Sequence, residues 1–118
     1  MPRHIDLGKR GEDRAAEWLA QKEYEILHRN WRYGRYEVDI IARKGNVFHF
    51  IEVKCRQWSV YGPPEESVSR KKIRNMMRGA LAWRIQFPGP GRVQYDVLSI
   101  TIPPGAEPEF FFIEDVYL

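Results

Sequence analysis

The chain predicts an α/β fold: a mixed sheet of about five strands flanked by helices, in the order αβββαββ. Three observations carry that expectation. Apolar residues recur at helical spacing in two stretches, near the start and in the middle. Between and after them lie short runs rich in Val, Ile, Phe and Tyr, bounded by turn residues. One pair of runs is joined by "KGN" at 44–46, a hairpin turn. A chain of 118 residues holds one such domain, over 1–118, with a single real core.

The first helix is expected over about 6–22, with Asp6 as its N-cap. Its apolar stripe contains Ala15, Ala16 and Leu19, with Trp18 on the flank. Glu12 lies four residues before Ala16 and seven before Leu19, so it shares the inward stripe. Gly8 and Gly11 each cost the helix about 1 kcal/mol relative to alanine, which is tolerable where another group must come close. "YEILHRNWR" reads as the first strand and "YEVDIIA" as the second. "VFHFIEVKCR" is the third, antiparallel to the second. "QWSVYGPPEES" then breaks regular structure, because Gly62-Pro63-Pro64 cannot continue a central strand.

A second helix is expected over about 67–87, packed through Ile73, Met77, Ala80, Leu81 and Trp83. Arg70, Arg74 and Arg78 form an i, i+4, i+8 row on another side. "FPGPG" at 87–91 ends it. "VQYDVLSITI" is apolar on both faces and so central, and "EFFFIEDVYL" makes a fifth strand at an edge.

Composition places the chain among soluble globular proteins, with 43% apolar and 30% charged residues. No apolar run approaches a membrane span, and "MPRHIDLGKRGE" lacks a signal-peptide stretch, so the expected compartment is cytoplasmic. One cysteine excludes an internal disulfide framework. Net charge is +3 but unevenly placed. From Lys54 to Arg84 eight bases stand against Glu65 and Glu66, whereas beyond Arg92 there are acids and no bases. Such asymmetry suits an anionic partner, and equally a solvated basic helix face.

The third strand holds the main chemical signal. Alternation sends Phe48, Phe50, Glu52, Lys54 and Arg56 to one face and His49, Ile51, Val53 and Cys55 to the other. Cys55 therefore reads as a small apolar residue, not a nucleophile. Asp39 on the second strand lies at the same end of the hairpin as Glu52, away from the turn. A small splay of the strands would bring both carboxylates together, and Glu12 is the candidate third. Two such charges about 4 Å apart repel by roughly 4 kcal/mol at an effective dielectric near 20, and a divalent cation reverses that sign. Mg²⁺ or Mn²⁺, hard and oxygen-preferring, is the natural occupant. Lys54 would then meet a water or a phosphate oxygen. The bland alternative is an ordinary surface Glu-x-Lys pair, worth less than about 1 kcal/mol.

"EVDIIA" followed by "EVK", with Glu52 thirteen residues after Asp39, resembles the D-(x)n-E-x-K signature of restriction-endonuclease-like nucleases. Together with "GKRGEDRAAEWL", "RNWR" and "YDVLSI", the chain resembles the uncharacterised bacterial YraN-type family of predicted endonucleases over nearly its whole length. The fold implied is restriction-endonuclease-like and similar to that of archaeal Holliday-junction resolvases. The resemblance implies that Asp39, Glu52 and the main-chain carbonyl of Val53 are metal ligands and that Lys54 is the catalytic lysine. Glu12 matches the helix-borne glutamate that completes the acidic cluster in related resolvases.

The expected activity is metal-dependent hydrolysis of phosphodiester bonds in DNA, selective for branched, nicked or single-stranded structure. Arg56, Lys71, Lys72 and Arg74 are the candidate nucleic-acid contacts, with the second helix's N-terminus assisting. Trp58 and Tyr61 are candidates to stack on an unpaired base. A homodimer would address both strands of a duplex. The rival readings are a non-catalytic nucleic-acid-binding or adaptor protein retaining the nuclease fold, and a module whose basic face meets an acidic protein.

Overall fold

A computed structural model of the chain describes residues 3–57 and 69–117, the side chains of 3–10 and of Gln57 excepted. Its elements are α1 (Arg3–Gln21), β1 (Glu25–Tyr33), β2 (Tyr36–Lys44), β3 (Val47–Gln57), α2 (Arg70–Gln86), β4 (Arg92–Ile102) and β5 (Glu109–Ile113). The order is the expected αβββαββ, compatible with a restriction-endonuclease-like fold. The strands form one sheet in the order β1-β2-β3-β4-β5. Tight turns make the β1–β2 and β2–β3 pairs antiparallel. A parallel pair needs a crossover, and α2 supplies it between β3 and β4. The last strand, β5, returns antiparallel to β4 and forms an edge.

Side-chain alternation sorts the strands onto two covered faces. On one, Ala15 and Leu19 of α1 meet Ile40, Ala42, Ile51, Leu98 and Ile100. On the other, Met76, Ala80 and Trp83 of α2 meet Val38, Ile41, Phe48 and Phe50. A fully buried aliphatic or aromatic side chain contributes about 1.5–3 kcal/mol, so these two layers fix where the helices sit. Gly11 lets α1 lie close on β3: a Cβ there would meet Cys55 Cβ at 2.7 Å and Sγ at 2.8 Å. Alanine would not fit without a shift. Among the described residues, no helix is long and apolar enough to cross a membrane.

Several expectations need correction. Helix α1 starts at Arg3, so Asp6 lies in its first turn and is not its N-cap. Leu81, expected in the core, is 62% exposed. The buried stripe of α2 is Met76, Gly79, Ala80 and Trp83, because Gly79 brings the helix down onto β2 and turns Leu81 outward. The described part of α2 is capped by Ser69, whose hydroxyl accepts from the Lys72 N–H at 3.2 Å. Trp58, Tyr61 and the expected helix start at Ser67 lie outside the described residues.

Candidate functional site

The site begins where the β2–β3 ladder ends. Its last pair is Ile40↔Ile51, so Asp39 and Glu52 come next on strands no longer held together. Alternation in β2 also slips there. Val38 joins Ile41 on the α2 face while Ile40 and Ala42 face α1. Opposite Asp39, between the pairs Arg29↔Ile40 and Trp31↔Val38, stands Asn30 with φ of +53°. Asparagine is among the few non-glycine residues that adopt this left-handed conformation readily. Asn30 thus has a structural role in the "RNWR" segment: it permits the slip that redirects Asp39. The Asp39 Oδ2 accepts the Val53 N–H at 2.8 Å, bridging the two strands by a side chain.

Asp39 and Glu52 line one open cleft of about 380 Å³ with Arg35, Glu37, Val53, Lys72 and Asn75. Helix α2 forms the opposite wall. Its approach to β2 depends on Gly79, where a Cβ would stand 3.1 Å from Val38 Cγ2. Lys72 and Asn75 precede Gly79 by seven and four residues, so all three share one helix face. The close seat of the helix is what carries Lys72 over the carboxylates.

The acids repel one another. Burial pushes the Asp39 carboxyl up to about 7, helped by Glu52, Glu37 and Glu12 and opposed by the Val53 N–H. Burial also raises Glu52; Lys72 and then Lys54 pull it back while Glu37 adds to the rise. Glu12 is raised by burial against the pull of Arg29, and its Oε1 is buried with no hydrogen-bond partner. Burial raises the Cys55 thiol as well, which disfavours a thiolate and fits its expected apolar role.

The fold therefore brings together Asp39, Glu52, Val53 and Lys72. Lys54 shares the Glu52 face and acts on it electrostatically, but is not among the residues lining the cleft. Glu12 comes from the helix on the other face of the sheet and reaches Asp39 through its charge, also from outside that lining. Among the described residues, no three His, Cys, Asp or Glu side chains form a ready metal cage. Any metal here takes two carboxylates and must complete its shell with main-chain oxygen and water, as Mg²⁺ commonly does. The donor chemistry fits: hard oxygens, ionised at a cost that a cation removes. Lys71 and Arg74 are exposed on α2, and Arg56 is half-buried on β3; none of them lines the cleft.

Arg35, Glu37 and Asn75 were not evident from sequence. Asn75 was accessible in principle, one turn after Lys72. Arg35 and Glu37 depend on how the β1–β2 tip twists over the cleft, which no local pattern reports.

The profile of the uncharacterised protein family UPF0102 matches residues 11–100. The chain belongs to that family. It is 37% identical over 117 residues to a UPF0102 protein of Leifsonia xyli, covering 98% of this chain and 99% of that one. A UPF0102 protein of Rhodococcus opacus is 38% identical over 118 residues, covering 99% of this chain and all of the relative. One from Cytophaga hutchinsonii is 41% identical over 98 residues, 83% of this chain and 87% of its own. Membership of UPF0102 is consistent with the YraN-type resemblance.

Proposed function

We propose that this UPF0102 protein is a divalent-metal-dependent nuclease that hydrolyses phosphodiester bonds in DNA, selecting branched, nicked or single-stranded structure by shape. The observation that carries the reading is the pairing of Asp39 with Glu52 in one cleft, largely out of water, below the cationic wall of α2. Asp39, Glu52 and the Val53 carbonyl would hold Mg²⁺ or Mn²⁺, with Glu12 supporting Asp39 from behind. A bound divalent ion supplies charge neutralisation at the phosphate and a lower pKa for water.

The remaining work falls to the chain's own groups. Water oxygen adds to phosphorus, one P–O ester bond breaks, and the departing oxygen takes a proton. Lys54 orients the water or meets the charge that grows on the phosphoryl oxygens. Lys72 and Arg35 hold a phosphate at the cleft mouth. Lys71, Arg74 and Arg56 extend the contact along the backbone. Contacts of this kind position DNA without reading sequence. The cytoplasm is the proposed compartment, with two copies addressing a duplex.

One specific observation favours the non-catalytic alternative: the described part of α2 carries six bases and no acid, enough for DNA binding without chemistry. Incubation with labelled duplex, nicked, single-stranded and four-way-junction DNA in Mn²⁺ or Mg²⁺ separates the two. The parent is expected to cleave, and Asp39→Asn and Lys54→Ala to lose about a hundredfold or more in rate. Tight DNA binding without cleavage by the parent would select the alternative, and undiminished cleavage by both variants would place the chemistry elsewhere.

A further inference from the structure

A second concavity adjoins the cleft. Tyr33 and Tyr36 from the β1–β2 tip and Arg78, Leu81, Ala82, Ile85 and Gln86 from α2 enclose a groove of about 520 Å³. The surface is unusual for a basic helix: Tyr33, Leu81 and Ile85 are 59%, 62% and 73% exposed. Arg35 and Glu37 line the carboxylate cleft while Tyr36, between them in sequence, lines the groove. The two depressions thus meet at three consecutive residues.

From this juxtaposition we infer that the groove is a subsite for unpaired nucleotides of the substrate strand, adjoining the bond to be cut. The inference rests on the nuclease reading for its placement, and on the groove's own chemistry for its ligand. The Arg35 and Arg78 guanidinium carbons lie 5.5 and 5.9 Å from the Tyr36 ring centroid. Arg78 Nη1 also donates to the Tyr36 hydroxyl at 3.4 Å. Tyr33 stacks on Trp31, with ring centroids 6.2 Å apart and planes within 6°. Among the described residues of the tip the one acid, Glu37, lies 3.6 Å from Arg32 in an ion pair.

An apolar and aromatic floor with an arginine rim fits a polymer whose faces are aromatic and whose edge is anionic. Single-stranded nucleic acid is that polymer, and stacking platforms beside basic side chains are how it is held. Duplex DNA offers no free base faces to such a floor. A second copy of this chain fits poorly. A two-fold contact across the groove would set Arg78 and its basic neighbours on α2 close to their own copies.

The test is fluorescence anisotropy in EDTA, where no cleavage interferes. The probes are a labelled blunt duplex, the same duplex with a short single-stranded extension at either end, and one whose extension is abasic. The parent should prefer the base-bearing extension over the blunt duplex by about tenfold. Tyr33→Ala or Leu81→Ser, both at exposed positions, should remove that preference while leaving blunt-duplex affinity unchanged, as should loss of the bases. Equal affinity of the parent for all three probes would overturn the subsite. So would weakening of blunt and extended probes alike, or a dimer that either variant dissociates. Preference without metal-dependent cleavage would leave the subsite standing and remove the hydrolase, and cleavage without preference would do the reverse.

Discussion

Asp39 on β2 and Asp96 on β4 are both drawn out of water by the same sheet, one among acids and the other among donors. Asp96 is fully buried, and its Oδ2 lies 2.7 Å from His49 Nδ1. Its Oδ1 accepts from Gln94 Nε2 at 3.0 Å and from the Asp115 N–H at 2.9 Å. The last of these, with the Val116 N–H donating to the Tyr95 carbonyl, fastens the segment after β5 to the sheet. Asp39 accepts one N–H, from Val53, and otherwise sees the charges of Glu52, Glu37 and Glu12. Buried carboxylates are normally satisfied by hydrogen bonds or a counter-charge. Asp96 follows that rule within the chain. Among the described residues Asp39 has the Val53 N–H as its donor and is otherwise set among like charges, and that difference marks it as the candidate site.

Removing each acid should therefore act in opposite directions. Asp96→Ala strips the acceptor from His49, Gln94 and the Asp115 N–H, and should cost about 3–5 kcal/mol in urea unfolding. A loss below about 1 kcal/mol would erase the contrast. Asp39→Asn should stabilise the metal-free protein at pH 8. Its folded-state pKa of about 7 exceeds the ordinary 3.8, so the folded protein holds the proton more tightly than the unfolded chain does. Stability should then fall as pH rises from about 4 to about 7, by on the order of 4 kcal/mol. In Asp39→Asn most of that slope should vanish, leaving the smaller one from Glu52, whose carboxyl is raised in the same sense. Denaturant midpoints across pH 4–8 measure both.

A smaller effect sharpens the comparison. Glu52→Gln removes a charge that raises Asp39, so the pH at which stability declines should move down. The gain at pH 8 should be on the order of 1 kcal/mol.

Much of this architecture could be read from residue order. The "KGN" turn appears at Gly45 with φ of +61°, and alternation along β3 placed Glu52 and Lys54 on one face and Cys55 on the other. What escaped were features that depend on breaks in periodicity or on distant partners. Strict alternation would put Val38 with Ile40; the slip opposite Asn30 turns Asp39 toward Val53. Helical spacing through Ile73, Met77 and Leu81 looked apolar, but Gly79 seats α2 on β2 and shifts the buried stripe to Met76, Ala80 and Trp83. Asp96 read as one acid in an acidic C-terminal stretch, because its partner His49 lies 47 residues away on the neighbouring strand. The Trp83 Nε1–H to His28 Nδ1 bond, at 2.7 Å, was equally hidden.

Calorimetric titration of Mn²⁺ into the metal-free protein at pH 7 tests most directly whether the Asp39–Glu52 pair exists to hold a cation. Saturable binding is expected, with heats that vary with buffer because Asp39 must release its proton, and with binding abolished in Asp39→Asn. No binding to the parent, or binding undiminished in Asp39→Asn, would contradict the account.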